Sequence, residues 1–325
     1  QVAAWQAIAR GWPTVLGTLS LLQNLAQTGS STLRTVAVRE LGAGWPAETE
    51  VYLLLKTLAE SDTSKEVRTA ALEELASHWP GEPDIYPLLK TLAESDPTST
   101  VRRSAVRAVA SSWPEKPETL TYLKKIALGD RDAEMREIAL QQIALGWPDR
   151  PKTLSLLQQV AGSEDYWTVR QVAVECAAAL PSDNLEVFTW LKNLAESDRD
   201  LNVRETAVQQ IARAWSHREE TLPFLKSRAD SESDSHLLSV LAGEIVRGWP
   251  DDAETLPWLK IQVDSRDAVV RQTTVQELAR NWPDAAETWI LLQALAEGDE
   301  SPALRQMALQ KLARGRTNES ETFEW

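Results

Sequence analysis

The sequence contains one cysteine, two methionines and three histidines in 325 residues. A single thiol, Cys176, cannot form an internal disulfide, which excludes a disulfide-stapled scaffold and suits a reducing, cytoplasmic compartment. Cys176 sits in the small-residue run Val174–Leu180, the setting of a buried structural thiol rather than a nucleophile. His78, His217 and His236 include no i, i+4 pair, and without a cysteine cluster they cannot complete a zinc site. Apolar runs are short: none approaches the 18 or so residues needed to cross a bilayer. The start, QVAAWQAIARGWP, lacks the basic flank and long apolar centre of a secretion signal. Asn318-Glu319-Ser320 matches a glycosylation acceptor, but with no secretion signal the match is accidental. Basic residues are scarce too, 34 against 48 acidic, for a formal net charge of −14. That balance disfavours nucleic-acid binding, which neutralises phosphates with many cations, and serves solubility instead. No Gly-rich phosphate loop, nucleophile elbow or dinucleotide fingerprint is present. The expectation is a chain that is not an enzyme, with no catalytic residues, no metal and no cofactor.

What the sequence does hold is a repeat. Trp-Pro or a relic of it recurs at Trp12, Trp45, Trp79, Trp113, Trp147, Leu180 (before Pro181), Trp215, Trp249 and Trp282, at spacings of 33, 34, 34, 34, 33, 35, 34 and 33 residues. An apolar residue followed by arginine keeps the same beat at Arg34, Arg68, Arg102, Arg136, Arg170, Arg204, Arg271 and Arg305, with Leu238 at the remaining position. Each period carries two helical patterns. In the first, Leu256, Leu259 and Val263 share one face, and Trp258 marks a second apolar flank. A helix apolar on two flanks packs on two sides, as stacking requires. The second pattern, with Val270, Thr274, Val275, Leu278 and Ala279 inward, runs from the arginine to the tryptophan. The residue before Trp is Gly, His or Asn in six of eight cases, which predicts a left-handed helix end there. The following proline cannot continue a helix, and acidic residues such as Asp149, Asp251 and Asp284 are expected to start the next one. Trp12, Trp45, Trp79, Trp113, Trp147, Trp215, Trp249 and Trp282 therefore read as structural wedges sealing one repeat onto the next. About nine helical hairpins of 33–35 residues follow, an all-α fold in the form of a right-handed α–α superhelix.

Charge adds three columns to this frame. Asp62, Asp96, Asp130, Asp198 and Asp299 each stand six residues before their arginine, close enough to pair within a repeat or to bridge to the next one. Either way they form a structural ladder, because five identical pairs do not offer the unlike environments an acid and a base need. Lys56, Lys90, Lys124, Lys192, Lys226 and Lys260 share one site on the first helix and read as a solvated outer face. Nine residues after the arginine landmark, and two before Trp where Trp is kept, Arg213, Arg247, Arg280 and Arg314 follow one another, with Arg10 at the other end and Ala43, Ser77, Ser111, Leu145 and Ala179 between. This C-terminal arginine column is the candidate partner-binding surface.

The Asp-x(5)-Arg element with an apolar residue before Arg, as in Asp96 to Arg102, resembles HEAT repeats. ARGWP (Ala9–Pro13), VRGWP (Val246–Pro250), ARNWP (Ala279–Pro283) and ETLPWLK (Glu254–Lys260) are similar to the C-terminal repeats of bacterial, especially cyanobacterial, NACHT-type (STAND) signal-transduction ATPases. That resemblance spans residues 1 to about 315. It implies the sensor arm of a larger regulatory or defence NTPase: a non-catalytic scaffold for a protein or peptide partner, acidic in character, or for a sensed ligand. No nucleotide site carries over, since this chain holds no phosphate loop. An alternative of another class is an enzyme or chaperone subunit resembling the phycobilin lyases, which share the repeat; a repair module for nucleic acid is disfavoured by charge. The expected organisation is a solenoid over 1–315 and a polar tail over 316–325. Residues 1–13 match a second helix alone, so the missing first helix and further domains are expected upstream. Loss of Trp-Pro at Leu180-Pro181, of Arg at Leu238 and of Pro at Ser216 makes 163–240 the stretch where a kink or a site is expected.

Overall fold

The structure, a computed structural model, describes residues 17–149, 151–180, 185–265 and 267–315. They form eighteen α-helices in nine hairpins, with no strand among the described residues. The chain divides into two compact units, residues 1–181 and 182–325. Unit 1 holds the hairpins α1 (Thr18–Thr28) and α2 (Ser31–Gly44), α3 (Thr49–Ser61) and α4 (Lys65–His78), α5 (Ile85–Ser95) and α6 (Ser99–Ser112), α7 (Pro117–Gly129) and α8 (Ala133–Gly146), and α9 (Pro151–Ser163) and α10 (Trp167–Ala178). Unit 2 holds α11 (Leu185–Ser197) and α12 (Leu201–Ala214), α13 (Thr221–Ser231) and α14 (Ser235–Gly248), α15 (Thr255–Gln262) and α16 (Ala268–Asn281), and α17 (Ala286–Gly298) and α18 (Pro302–Gly315). The irregular stretch thus contains the division between the units. Trp12, the half repeat 1–13, Pro181 and the tail 316–325 lie outside the described residues.

Second helices start three residues before their arginine and stop at the residue before Trp. Five of their starts are capped in the turn inside the hairpin: Ser30, Asp132, Asp200, Asp234 and Asp267 accept backbone N–H groups of the first turn. Asp149, Asp251 and Asp284 do not cap, because the first helices begin later, after a turn in which the Trp carbonyl accepts an N–H three residues on. The helix ends also differ from expectation. Gly44, His78, Gly146, Gly248 and Asn281 are the last helical residues, and the only positive-φ glycine described is Gly17. The tryptophan itself leaves the helix, with φ −134° and ψ 53° at Trp45 and φ −138° and ψ 53° at Trp147. Proline explains this, since it bars helical geometry in the residue before it. Trp215, followed by Ser216, departs least, at ψ 25°.

Within each unit the second helices of consecutive hairpins pack directly on one another, whereas first helices pack mainly on their own partners. The core runs along the seam between the two rows. Val270, Thr274, Val275 and Leu278 are buried in it, as are Ala37, Leu41, Leu72, Leu75, Val106 and Ile143 on other second helices. Trp79, Trp147 and Trp215 are buried, and Trp45, Trp113, Trp249 and Trp282 half-buried. Three wedges close their own hairpins: Trp79 lies 6.0 Å from Tyr52, Trp113 5.3 Å from Tyr86 and Trp215 5.9 Å from Phe188, ring centre to ring centre. The Trp113 indole also donates to the Pro80 carbonyl of the preceding repeat at 3.0 Å. Six residues beyond Trp, a buried threonine recurs at Thr18, Thr119, Thr153, Thr221, Thr255 and Thr288, a column the sequence pattern had not marked out.

Candidate functional site

The Asp–Arg ladder runs between hairpins. Arg34 holds Asp62 through two bonds of 2.9 and 2.7 Å, Arg68 holds Asp96 at 2.7 and 2.9 Å, and Arg271 holds Asp299 at 2.8 and 2.9 Å. Arg136 takes Glu164 in the same way, while Arg102 reaches Asp132 instead of Asp130. Each arginine turns its remaining nitrogen back to a carbonyl of its own turn, as Arg68 does to Asp62 O at 2.8 Å. The carboxylate accepts the N–H two residues on, as Asp96 does from Thr98. One guanidinium thus joins two turns. At the irregular stretch Glu232 pairs with Arg228 of its own helix, and Arg204 keeps its carbonyl bond to Asp198. These groups are structural.

The lysines are not a plain solvated face. All six are half-buried, and five of them reach across the gaps between first helices. Lys56 bonds Asp84 at 2.5 Å, Lys226 lies 3.8 and 3.7 Å from Asp252 and Glu254, and Lys260 lies 3.7 Å from Glu287. Lys90 and Lys192 cover rings instead: Lys90 stands over Tyr122 at 4.8 Å, and Lys192 over Phe224 at 4.8 Å. First helices that diverge leave room that only long side chains cover.

The arginine column lies in unit 2, in the last turns of α12, α14, α16 and α18. Arg213 and Arg247 converge on Glu244, at 3.3 and 2.6 Å. The Glu244 side chain is 5% exposed, while Arg213 and Arg247 remain 58% and 61% exposed. Arg280 and Arg314 are exposed, and Arg280 has no ion partner among the described residues. Ala43, Ser77, Ser111, Leu145 and Ala179 occupy the same column in unit 1, all exposed, Leu145 at 77%.

The carboxylate that organises the arginines belongs to a further column, five residues before Trp: Glu40, Glu74, Glu244 and Glu277. The regular spacing was there to be found, but nothing local distinguishes these glutamates from solvated ones. Glu40 is buried. Glu74 lies beneath Gly42, where a Cβ would fall 2.5 Å from its Oε2. Burial, abetted by Glu73 and Glu40 and opposed by Arg39, pushes Glu74 up to about 7. Cys176 is buried and pushed up to about 12, so its thiol stays protonated. No group of three or more potential metal ligands occurs among the described residues, and none of their helices is long and apolar enough to cross a membrane.

The model of HEAT repeats matches residues 18–110, 101–178 and 120–212, together more than half the chain, so this protein belongs to the HEAT-repeat family. Solved structures with a similar fold include YibA of Escherichia coli, at 16% identity over 85% of this chain and 96% of that one, with a TM-score of 0.47. Kap95p, described in a study of its effect on RanGDP, matches at 14% identity over 98% of this chain and 54% of its own, TM-score 0.49. Kap121p bound to Ste12p matches at 15% identity over 98% of this chain and 35% of its own, TM-score 0.47. This chain therefore spans about half of Kap95p and a third of Kap121p. No curated protein matches it.

Proposed function

We propose that the chain is a non-catalytic protein-binding scaffold, the cytoplasmic sensor arm of a larger regulatory NTPase, and that its partner presents carboxylates to the arginine column of unit 2. One observation carries this reading: Arg213 and Arg247 share the single carboxylate of Glu244 yet stay more than half exposed, and Arg280 extends the column. A guanidinium has five N–H donors, so one shared carboxylate leaves most of them available for planar, bidentate recognition. A cation in the last turn of a helix also gains about 0.3–1 kcal/mol from the helix dipole. That gain alone gives no reason for the five hairpins of unit 1 to carry alanine, serine or leucine there. The inert Cys176 thiol supports a non-catalytic role in a reducing compartment.

The test uses a fluorescein-labelled peptide of alternating glutamate and leucine, read by anisotropy. Arg247→Ala with Arg280→Ala should weaken binding about tenfold or more and lower the melting temperature only by the small loss of dipole and ion-pair stabilisation, since Arg213 still covers Glu244. Binding to the unaltered chain should weaken as salt is raised. Equal affinity for the double variant would return the column to the helix dipole.

A further inference from the structure

In three hairpins an aromatic ring lies on the first helix, just inside its start, against the closing tryptophan: Tyr52, Tyr86 and Phe188. Two of these rings are also flanked by cations. Lys90 and Lys116 stand 5.7 and 4.1 Å from the centre of Tyr86, and Lys192 and Arg218 each 5.5 Å from that of Phe188. Thr119 completes the surround of Tyr86, bonding its hydroxyl at 3.4 Å.

The hairpin of α7 and α8 keeps this frame and lacks the ring. Leu120 stands where Tyr86 and Phe188 do, Trp147 takes the place of Trp113, Lys124 that of Lys90, and Thr153 that of Thr119. What remains is a cleft of about 630 Å³ lined by Leu120, Lys124, Trp147 and Thr153, with Lys116 and Lys152 at its rim. The volume is that of a small-molecule site. Glu115 is the one acid among the described lining residues, so among them three lysines less one glutamate leave a local charge of +2 on a chain of net charge −14. Leu222 and Leu256 also replace the ring in unit 2, but there the matching lysines, Lys226 and Lys260, face Asp252, Glu254 and Glu287. Lys124 has no carboxylate partner among the described residues.

We propose that this cleft binds a small aromatic carboxylate. Its ring would take the position that Tyr86 and Phe188 hold in their own hairpins, edge or face against Trp147. The Lys124 ammonium would lie over the ring or reach the carboxylate, and Lys116 or Lys152 would pair with the carboxylate. This site is in unit 1, apart from the arginine column, and does not depend on the reading proposed for that column.

Calorimetric titration of the whole chain with 2-naphthoate tests it, and saturable one-to-one binding is expected. The neutral 2-naphthamide should bind about tenfold more weakly, and so should 2-naphthoate to Lys124→Gln. Leu120→Tyr supplies the missing ring from within, so it should abolish binding without lowering the melting temperature. Should that variant not fold, Leu120→Phe carries the same test with the ring found at Phe188. Unaltered binding to a folded ring variant would overturn the proposal, as would absence of saturable binding. Decanoate binding as tightly as 2-naphthoate would also overturn it, since a ring would then have no role. So would capture of an acidic phenylalanine-containing peptide by a cleft that refuses the free acid.

Discussion

Buried threonines six residues after the tryptophan show how one residue type can be asset or cost by geometry alone. Thr153 and Thr221 donate to the Trp147 and Trp215 carbonyls at 2.8 and 2.6 Å, at Trp215 as a second donor beside the Arg218 N–H. Thr255 and Thr288 are equally buried, yet their hydroxyls meet no partner among the described residues. Val51 and Ile85 stand at the same position in other hairpins. Thr255→Val and Thr288→Val should therefore each hold or raise stability by about 1 kcal/mol, while Thr153→Val should lose about as much; urea unfolding of the single variants checks both signs. Glu74 offers a second test. Its folded pKa, about 7, is raised from 4.5. Its favourable contribution is therefore complete below the unfolded value and is lost as pH rises through about 7, up to about 3 kcal/mol. Glu74→Gln should match the unaltered chain near pH 4 and exceed it in melting temperature near pH 8. A difference that does not change with pH would show that the carboxylate is not strained by burial.

Between elements, the stack is held by two unlike seams. Second helices meet through small and branched side chains, and Gly42 lets α2 approach Glu74 more closely than any Cβ would permit. First helices meet through long side chains and rings, with clefts between them. The turns are joined by the arginine ladder, in which Arg68 and Asp96 are both buried, at 7% and 6% exposure. Removing one member of such a pair strands the other, so Arg68→Met should cost about 3–5 kcal/mol. Arg68→Met with Asp96→Leu should recover much of that loss. If the double variant is no better than the single one, the arginine acts mainly through its bond to the Asp62 carbonyl.

At the scale of the whole molecule, a repeat protein is stabilised by what each hairpin contributes and by what it shares with its neighbours. The chain falls into two compact units that part between Pro181 and Ser182, where Trp-Pro has been replaced by Leu180-Pro181 and the wedge is absent. Denaturant unfolding should accordingly show two transitions instead of one. Substituting Trp147 should move only the transition of unit 1, and substituting Trp215 only that of unit 2. A single transition shifted equally by both would show that the units unfold together. The column of Ala43, Ser77, Ser111, Leu145 and Ala179 in unit 1 is uncharged and its counterpart in unit 2 is arginine, so a partner that reads the arginines is expected to engage unit 2.

The repeat length, the hairpin count and the second-helix limits were legible in the sequence, because each depends on groups close together in the chain. A proline after a helical run cannot continue it and bars helical geometry in the residue before it, and helical periodicity marks a buried face without reference to its neighbour. Helix capping misled for a related reason: glycine before tryptophan permits a left-handed end without requiring one, and the X-Pro clash acts on the tryptophan first. Partner choice belonged to the tertiary structure. The Arg68 spacing fitted a bond within its own turn or across to the next hairpin, and only stacking brought Asp96, 28 residues on, within 2.7 Å. The lysines looked solvated until the diverging first helices placed acids and rings beneath them. Glu244 looked like any surface glutamate until the packing of α14 beside α12 buried it between Arg213 and Arg247. A carboxylate's role follows from the charges and the water around it, and those are set by chain segments far away in sequence.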